Sequence, residues 1–231
     1  MEINLRNLIM AHRGIFNNLN IPENSLRAFK LAVNRNIDIE LDVQLTKDEK
    51  LVVFHDYNLY RMTHKNLSLK KCTYKEIKKF NLLDTDQNIP LLEEVLDIVD
   101  GKILINIEIK NTDRKKKTLD ILNKVLSNYN GKVIIQTFHS KYLSLINKYY
   151  PSYTKGLLIS TPEILLDNLV DSKANLIKLK PDFLAYNKEL IKSKKVQHIR
   201  KKIPIFSWTI KNKEEKISSL KYSDSIIMNI R

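Results

Sequence analysis

The chain has 231 residues, 43% of them hydrophobic, with 4 Gly, 6 Pro and one Cys, and a formal net charge of +14 at pH 7. That length suits one large α/β domain, and the even composition excludes a collagenous, low-complexity or linker-rich chain. No apolar run nears the roughly 20 residues needed to cross a bilayer, the first ten residues are too short and polar for a signal-peptide core, and the single Cys72 cannot close an internal disulfide, so a cytoplasmic protein without stable membrane insertion is expected.

Extended runs alternate with amphipathic helices almost throughout. A first strand over Leu8–Ala11 leads to Pro22-Glu23-Asn24-Ser25, which opens a helix with Leu26, Phe29, Ala32 and Val33 on one face and Asn24 or Ser25 as its N-cap. Strands follow near 37–43 and 51–55. The segment 57–90 has no strand signal, contains Tyr57, Tyr60, Arg61 and Thr63, and carries a helix around Thr73–Phe80. Helices at 91–99 and 117–128 each precede a strand, at 103–109 and 132–138. Beyond them the pattern predicts helices at 140–148, 162–173 and 188–202, strands at 155–160, 183–186 and 203–209, and a last helix before the strand Ser225–Met228. Such alternation implies parallel strands joined by right-handed crossovers, and a (β/α)8 TIM barrel is the expected fold class. Nine extended segments compete for eight barrel positions, with 155–160 and 183–186 the weakest. Gly14, Gly101, Gly131 and Gly156 form no phosphate-binding glycine turn, which argues against a doubly wound nucleotide-binding sheet.

Chemistry-bearing residues cluster where the apolar strands end: His12-Arg13-Gly14, Glu40-Leu41-Asp42, His55-Asp56 and Glu108-Ile109-Lys110. Side chains alternate along a strand, so Glu40 and Asp42 share a face opposite Ile37, Ile39, Leu41 and Val43, and Asn106, Glu108 and Lys110 share another. Acids turned into a barrel need a counter-ion, which a hard divalent cation supplies to all three. Arg13 offers a planar double donor for phosphate and Lys110 a point charge. A lone His12 or His55 would be an ordinary structural histidine; as a pair beside these acids they read as acid/base groups. Trp208 closes the strand from Ile203, as a core residue or the floor of a substrate pocket. The lysines are scattered, with runs only at Lys115-Lys116-Lys117 and Arg200-Lys201-Lys202, so a small anionic substrate is expected and no nucleic acid.

Taken together, Ala11-His12-Arg13-Gly14, Pro22-Glu23-Asn24-Ser25, Glu40-Leu41-Asp42-Val43 with Thr46-Lys47-Asp48, Val52-Val53-Phe54-His55-Asp56, Ile89-Pro90-Leu91-Leu92-Glu93-Glu94, Ile107-Glu108-Ile109-Lys110 and Trp208-Thr209 resemble the glycerophosphodiester phosphodiesterase family. The resemblance implies one barrel domain over 1–231 with a small insertion after the third strand, at about 57–90. It implies that His12 and His55 act as general acid and base, that Glu40, Asp42 and Glu108 hold a divalent cation, Mg2+ or Ca2+, and that Arg13 and Lys110 contact phosphate. The implied reaction is hydrolysis of a glycerophosphodiester to sn-glycerol 3-phosphate and an alcohol. Two alternatives stand beside it: a lysophospholipase D or cyclising phospholipase-like activity on the same fold, and a non-catalytic barrel that binds a phosphate-rich polymer. Thr63-His64-Lys65-Asn66, Lys211 and Ile226–Asn229 depart from the family pattern, all outside the acid and histidine set. The released alcohol, the native cation and the oligomeric state are left open by the sequence.

Overall fold

The computed structural model describes residues 3–160 and 178–231; the helix expected over 162–173 lies outside the described residues. The fold class is the TIM (β/α)8 barrel. The chain divides into two compact units, one of Ala11–Lys132 with Ile230–Arg231, the other holding the described residues of Met1–Met10 and Val133–Asn229.

In the first unit the chain runs through β1 (Ile9–Ile15), α1 (Leu26–Asn34), β2 (Asp38–Leu45), β3 (Leu51–Val53), α2 (Tyr60–Thr63), α3 (Tyr74–Ile77), α4 (Leu92–Val99), β4 (Ile105–Ile109) and α5 (Lys115–Leu126). Helix α1 starts at Ser25, whose hydroxyl accepts the Ala28 N–H at 3.2 Å, so of the two capping candidates the second is used. Gly14 has φ +81°, and a Cβ there would meet Ala28 Cβ at 2.9 Å; only glycine lets β1 turn this close to α1. Strand β2 pairs in parallel with β4, Glu40 beside Asn106 and Asp42 beside Glu108. It also pairs with β1 and, antiparallel, with β3 over Val43–Leu45. The surplus among the nine extended segments is therefore β3, a short hairpin partner of β2. The segments that looked weakest, near 155–160 and 183–186, are both strands.

Residues 54–91 hold no long strand or helix. They fold around an apolar cluster of Val52, Phe54, Leu59, Met62, Leu69, Cys72, Ile77, Leu82 and Ile89, all buried. Each such aliphatic side chain taken fully from water contributes about 1.5 to 3 kcal/mol, which is how a segment without a ladder keeps one shape. Thr73 and Glu76 cap α3 reciprocally. Cys72 packs in this cluster as a small apolar residue.

The second unit carries β5 (Val133–Thr137), α6 (Ser140–Tyr149), β6 (Lys155–Ile159), β7 (Phe183–Asn187), α7 (Lys194–Arg200), β8 (Ile205–Ile210), α8 (Lys213–Leu220) and β9 (Ser225–Ile230). Strands β5 to β9 pair in parallel, each with the next. Leu143, Leu157, Ile159, Leu184, Tyr186 and Val196 are among its buried core. Helix α7 is shorter than the 188–202 its periodicity predicts, because the Lys188 N–H is taken by Trp208 O at 2.8 Å and the Ser193 hydroxyl caps Val196 instead.

Candidate active site

On β2, Ile39, Leu41 and Val43 face one way and Glu40, Asp42 and Gln44 the other, and all six are buried. The acids sit inside this strand, because β3 prolongs it past Asp42 to Leu45. Parallel pairing with β4 sets Glu108 beside Asp42, and Glu40, Asp42 and Glu108 each offer an oxygen within 4.8 Å of the others. Burial and the charge of Asp42 push the Glu108 carboxyl up to about 7, and burial with repulsion from Asp42 and Glu108 raises Glu40 well above the carboxylate range. Asp42 is also buried, yet Lys110 and Arg13 hold it below its usual value. Three carboxylates on rigid strands suit a hard divalent cation, and the side-chain Oδ1 of Asn24 and both amide atoms of Asn106 are buried without a hydrogen-bond partner.

Cations flank the acids. Lys110 follows β4 directly and donates to Glu108 Oε1 at 2.7 Å, with Asp42 Oδ1 at 3.5 Å. Arg13 lies within β1 at φ 57°, a left-handed backbone that L residues rarely adopt, and its N–H donates to Glu40 Oε2 at 3.1 Å. Its Nε lies 3.3 Å from Asp42 Oδ2 as an ion pair rather than an aligned hydrogen bond. With Glu40 and Glu108 pushed toward their neutral forms, Arg13 and Lys110 balance chiefly the ionised Asp42. A divalent ion would draw both glutamates back to their ionised forms and add positive charge for a monoanionic phosphodiester.

His12 is half-buried on β1, next to Arg13. His55 lies two residues past β3, its Nδ1 2.6 Å from Asp56 Oδ1. An ionised Asp56 fixes the proton on Nδ1 and leaves Nε2 as the reactive nitrogen. Burial lowers the His55 pKa; Asp42 opposes the shift, while Arg13 and Lys110 reinforce it. The balance favours the neutral ring.

Four supporting residues escaped the sequence reading as site residues. Gln44 donates to the carbonyls of Phe54, His55 and Asp56 at 2.8, 3.1 and 2.8 Å, clamping the turn that carries His55; its period-2 spacing from Glu40 and Asp42 was a usable signal. Asn24, considered above as a cap, instead donates to Asp42 Oδ2 at 2.9 Å. Glu23 accepts from Arg13 at 2.7 Å and from Arg61 at 2.7 and 3.1 Å. Burial works to raise the Glu23 pKa, but the Arg61 hydrogen bonds and the Arg13 charge outweigh it and bring it down to about 2. Arg61, 38 residues from Glu23 in sequence, has no local signature pointing here.

A cavity of about 680 Å3 adjoins the site, lined among others by His55, Asp56, Tyr57, Tyr60, Arg61 and Lys110. Trp208 lies on β8 in the second unit, where its indole N–H donates to Ala185 O at 2.8 Å and its ring meets Phe138 edge-on. Among the described residues no helix is long and apolar enough to cross a membrane.

The model of the glycerophosphoryl diester phosphodiesterase family matches residues 12–226. A glycerophosphodiester phosphodiesterase of Caldanaerobacter subterraneus subsp. tengcongensis is 32% identical over 224 residues, 91% of this chain and 88% of that protein. One from Bacillus altitudinis is 35% identical over 177 residues, 70% of this chain and 71% of its own. Among solved structures, an Oleispira antarctica phosphodiesterase in complex with the product sn-glycerol-3-phosphate superposes with a TM-score of 0.85 at 21% identity, covering 96% of this chain and 93% of that one.

Proposed function

Because the chain belongs to the glycerophosphoryl diester phosphodiesterase family and is itself a phosphodiesterase that hydrolyses glycerophosphodiesters, we propose that it does so with His12 and His55 as acid/base pair and a divalent cation on Glu40, Asp42 and Glu108. The observation that carries this reading is the buried acid triad, its oxygens within 4.8 Å of one another, set between Arg13 and Lys110. Mg2+ or Ca2+ held by those three carboxylates would supply Lewis-acid polarisation of the phosphate. Arg13 and Lys110 grip the phosphate oxygens and stabilise the charge that grows on them as phosphorus is attacked. His55, with Nε2 free of the Asp56 bond, takes a proton from a water molecule as the water oxygen bonds to phosphorus. His12 gives a proton to the departing alcohol oxygen as its bond to phosphorus breaks, leaving sn-glycerol 3-phosphate and an alcohol. The substrate is a small glycerophosphodiester.

His12→Ala and His55→Ala, assayed separately for glycerol 3-phosphate release, are each expected to lose about 10²- to 10⁴-fold in kcat with the circular dichroism spectrum unchanged. Turnover at the parent rate in either variant overturns the two-histidine assignment. Dialysis against a chelator should remove activity, and Mg2+ or Ca2+ should restore it. Exposed Tyr57 and Tyr60 lining the cavity beside the site favour one second reading, a lysolipid substrate whose acyl chain lies on this rim; comparing glycerophosphocholine with its lysolipid separates the two.

A further inference from the structure

Arg61 stands outside the roles above, yet it holds two parts of the site at once. Its Nε donates to Asp56 Oδ2 at 2.6 Å and its Nη2 to Asp56 Oδ1 at 3.1 Å, a two-pronged grip on the carboxylate that itself meets His55 Nδ1. On its other edge, Nη2 donates to Glu23 Oε1 at 2.7 Å and Nη1 to Glu23 Oε2 at 3.1 Å. Glu23 Oε1 in turn accepts from Arg13 Nη1 at 2.7 Å. One guanidinium thus joins the carboxylate that orients an imidazole to the carboxylate that aims a phosphate-binding arginine. The fork geometry of Arg suits this, since five N–H donors lie in one plane; the ammonium of Lys offers no such plane. A single exposed ion pair contributes little, but a planar, doubly bidentate contact within a network is the exception.

The segment that delivers Arg61 is built to hold it still. Helix α2 is only four residues long, but Leu59, Met62 and Thr63 are buried around Arg61. Leu59 and Met62 belong to the apolar cluster of residues 54–91. The Thr63 hydroxyl donates to Leu59 O at 2.9 Å.

Building on the proposed roles of His55 and Arg13, we infer that Arg61 is a positioning residue, and that segment 54–91 serves the reaction by delivering it: it fixes the His55 imidazole through Asp56 and the Arg13 guanidinium through Glu23. Without Arg61, Glu23 would keep only its contacts to Arg13 and Asn18, and Asp56, left with His55 alone, would pair with it in only part of the population. The consequence falls on the rate, because a misaligned imidazole still permits substrate to bind.

The test measures kcat and KM of the full chain on a glycerophosphodiester with Mg2+ or Ca2+, for the parent, Arg61→Ala, Arg61→Lys, Asp56→Asn and the Arg61→Ala/Asp56→Asn double variant, each with and without millimolar guanidinium ion. Arg61→Ala should lower kcat by about 10- to 100-fold, the range for removing a residue that orients a site ligand. Guanidinium should restore a large part of that loss in Arg61→Ala and none in the parent, and Arg61→Lys should fall between. Since Arg61 and Asp56 act through one contact, the double variant should lie within about twofold of the worse single variant. A kcat for Arg61→Ala within about twofold of the parent overturns the inference, as does a loss that guanidinium does not relieve and that adds fully to that of Asp56→Asn. If the parent itself turns over no glycerophosphodiester with either cation, the proposed function falls too; parent turnover with an indifferent Arg61 sinks this inference alone.

Discussion

Strands β2 and β4 and the segment 54–91 supply different parts of the candidate site, by opposite means. The strands bury Glu40, Asp42 and Glu108 in an unbroken parallel ladder, where backbone pairing fixes each carboxylate whatever its neighbours do. The segment has no ladder to fix His55, Asp56 and Arg61; an apolar cluster and the Gln44 clamp do so. The ladder tolerates a group that is unfavourable where it stands, and the cluster depends on the fit of its side chains. Ionised Glu40 and Glu108 raise the free energy of the fold in return for a cation site, whereas the cluster stabilises the fold and only indirectly serves chemistry.

Glu108→Gln breaks that comparison most sharply. It should lower activity by about 10³-fold or more by removing a cation ligand, and yet stabilise the protein in chelator at pH 8, read by urea denaturation. The acid limb of this effect has a defined sign. Glu108, raised from 4.5 to about 7, is protonated in folded and unfolded chain below about pH 4.5. Between pH 4.5 and 7 its ionisation opposes folding increasingly, up to about 3 kcal/mol. Across that window chelated parent protein should therefore lose stability relative to chelated Glu108→Gln, and Ca2+ or Mg2+ should remove the difference; a parent that gains stability relative to the variant there contradicts the buried triad.

Leu59→Ala probes the other region and should cost about 2 to 5 kcal/mol by urea denaturation, the range for a fully buried leucine, with kcat falling as His55 and Arg61 loosen. Glu23 shows the reverse linkage to Glu108. Its pKa lies at about 2 against 4.5, so the stability it contributes is complete above pH 4.5 and is lost as pH falls toward 2, about 3 kcal/mol in all. Glu23→Gln should flatten the acid limb of the stability curve between those values. The smallest effect belongs to neither region: Lys117→Ala, removing an exposed ion pair to Glu49 at 3.1 Å, should change stability by less than about 0.5 kcal/mol.

Much of the site was legible because alternation along a strand is a local property. The spacing of Glu40, Asp42, Glu108 and Lys110 placed each on a polar face, and the parallel register of β2 and β4 brought those faces together. The extended segment Leu51–Val53 was legible as a strand, while its direction and partner were not, because β-branched residues favour extension without choosing antiparallel over parallel pairing. Glu23 and Asn24 were visible as the opening of a helix, and their contacts to Arg13 and Asp42 were invisible.

What the amino-acid order determined by itself was the alternation of elements, the face each strand-borne charge occupies and the pair of residues from which the α1 cap is drawn, since all of these depend on neighbours within a few residues. Tertiary structure alone decided which extended segment would be the hairpin partner and how Arg61 came to join Asp56 to Glu23. A contact between residues 38 positions apart leaves no periodic trace in the chain, because it forms only when the burial of Leu59 and Met62 carries the guanidinium to its two carboxylates.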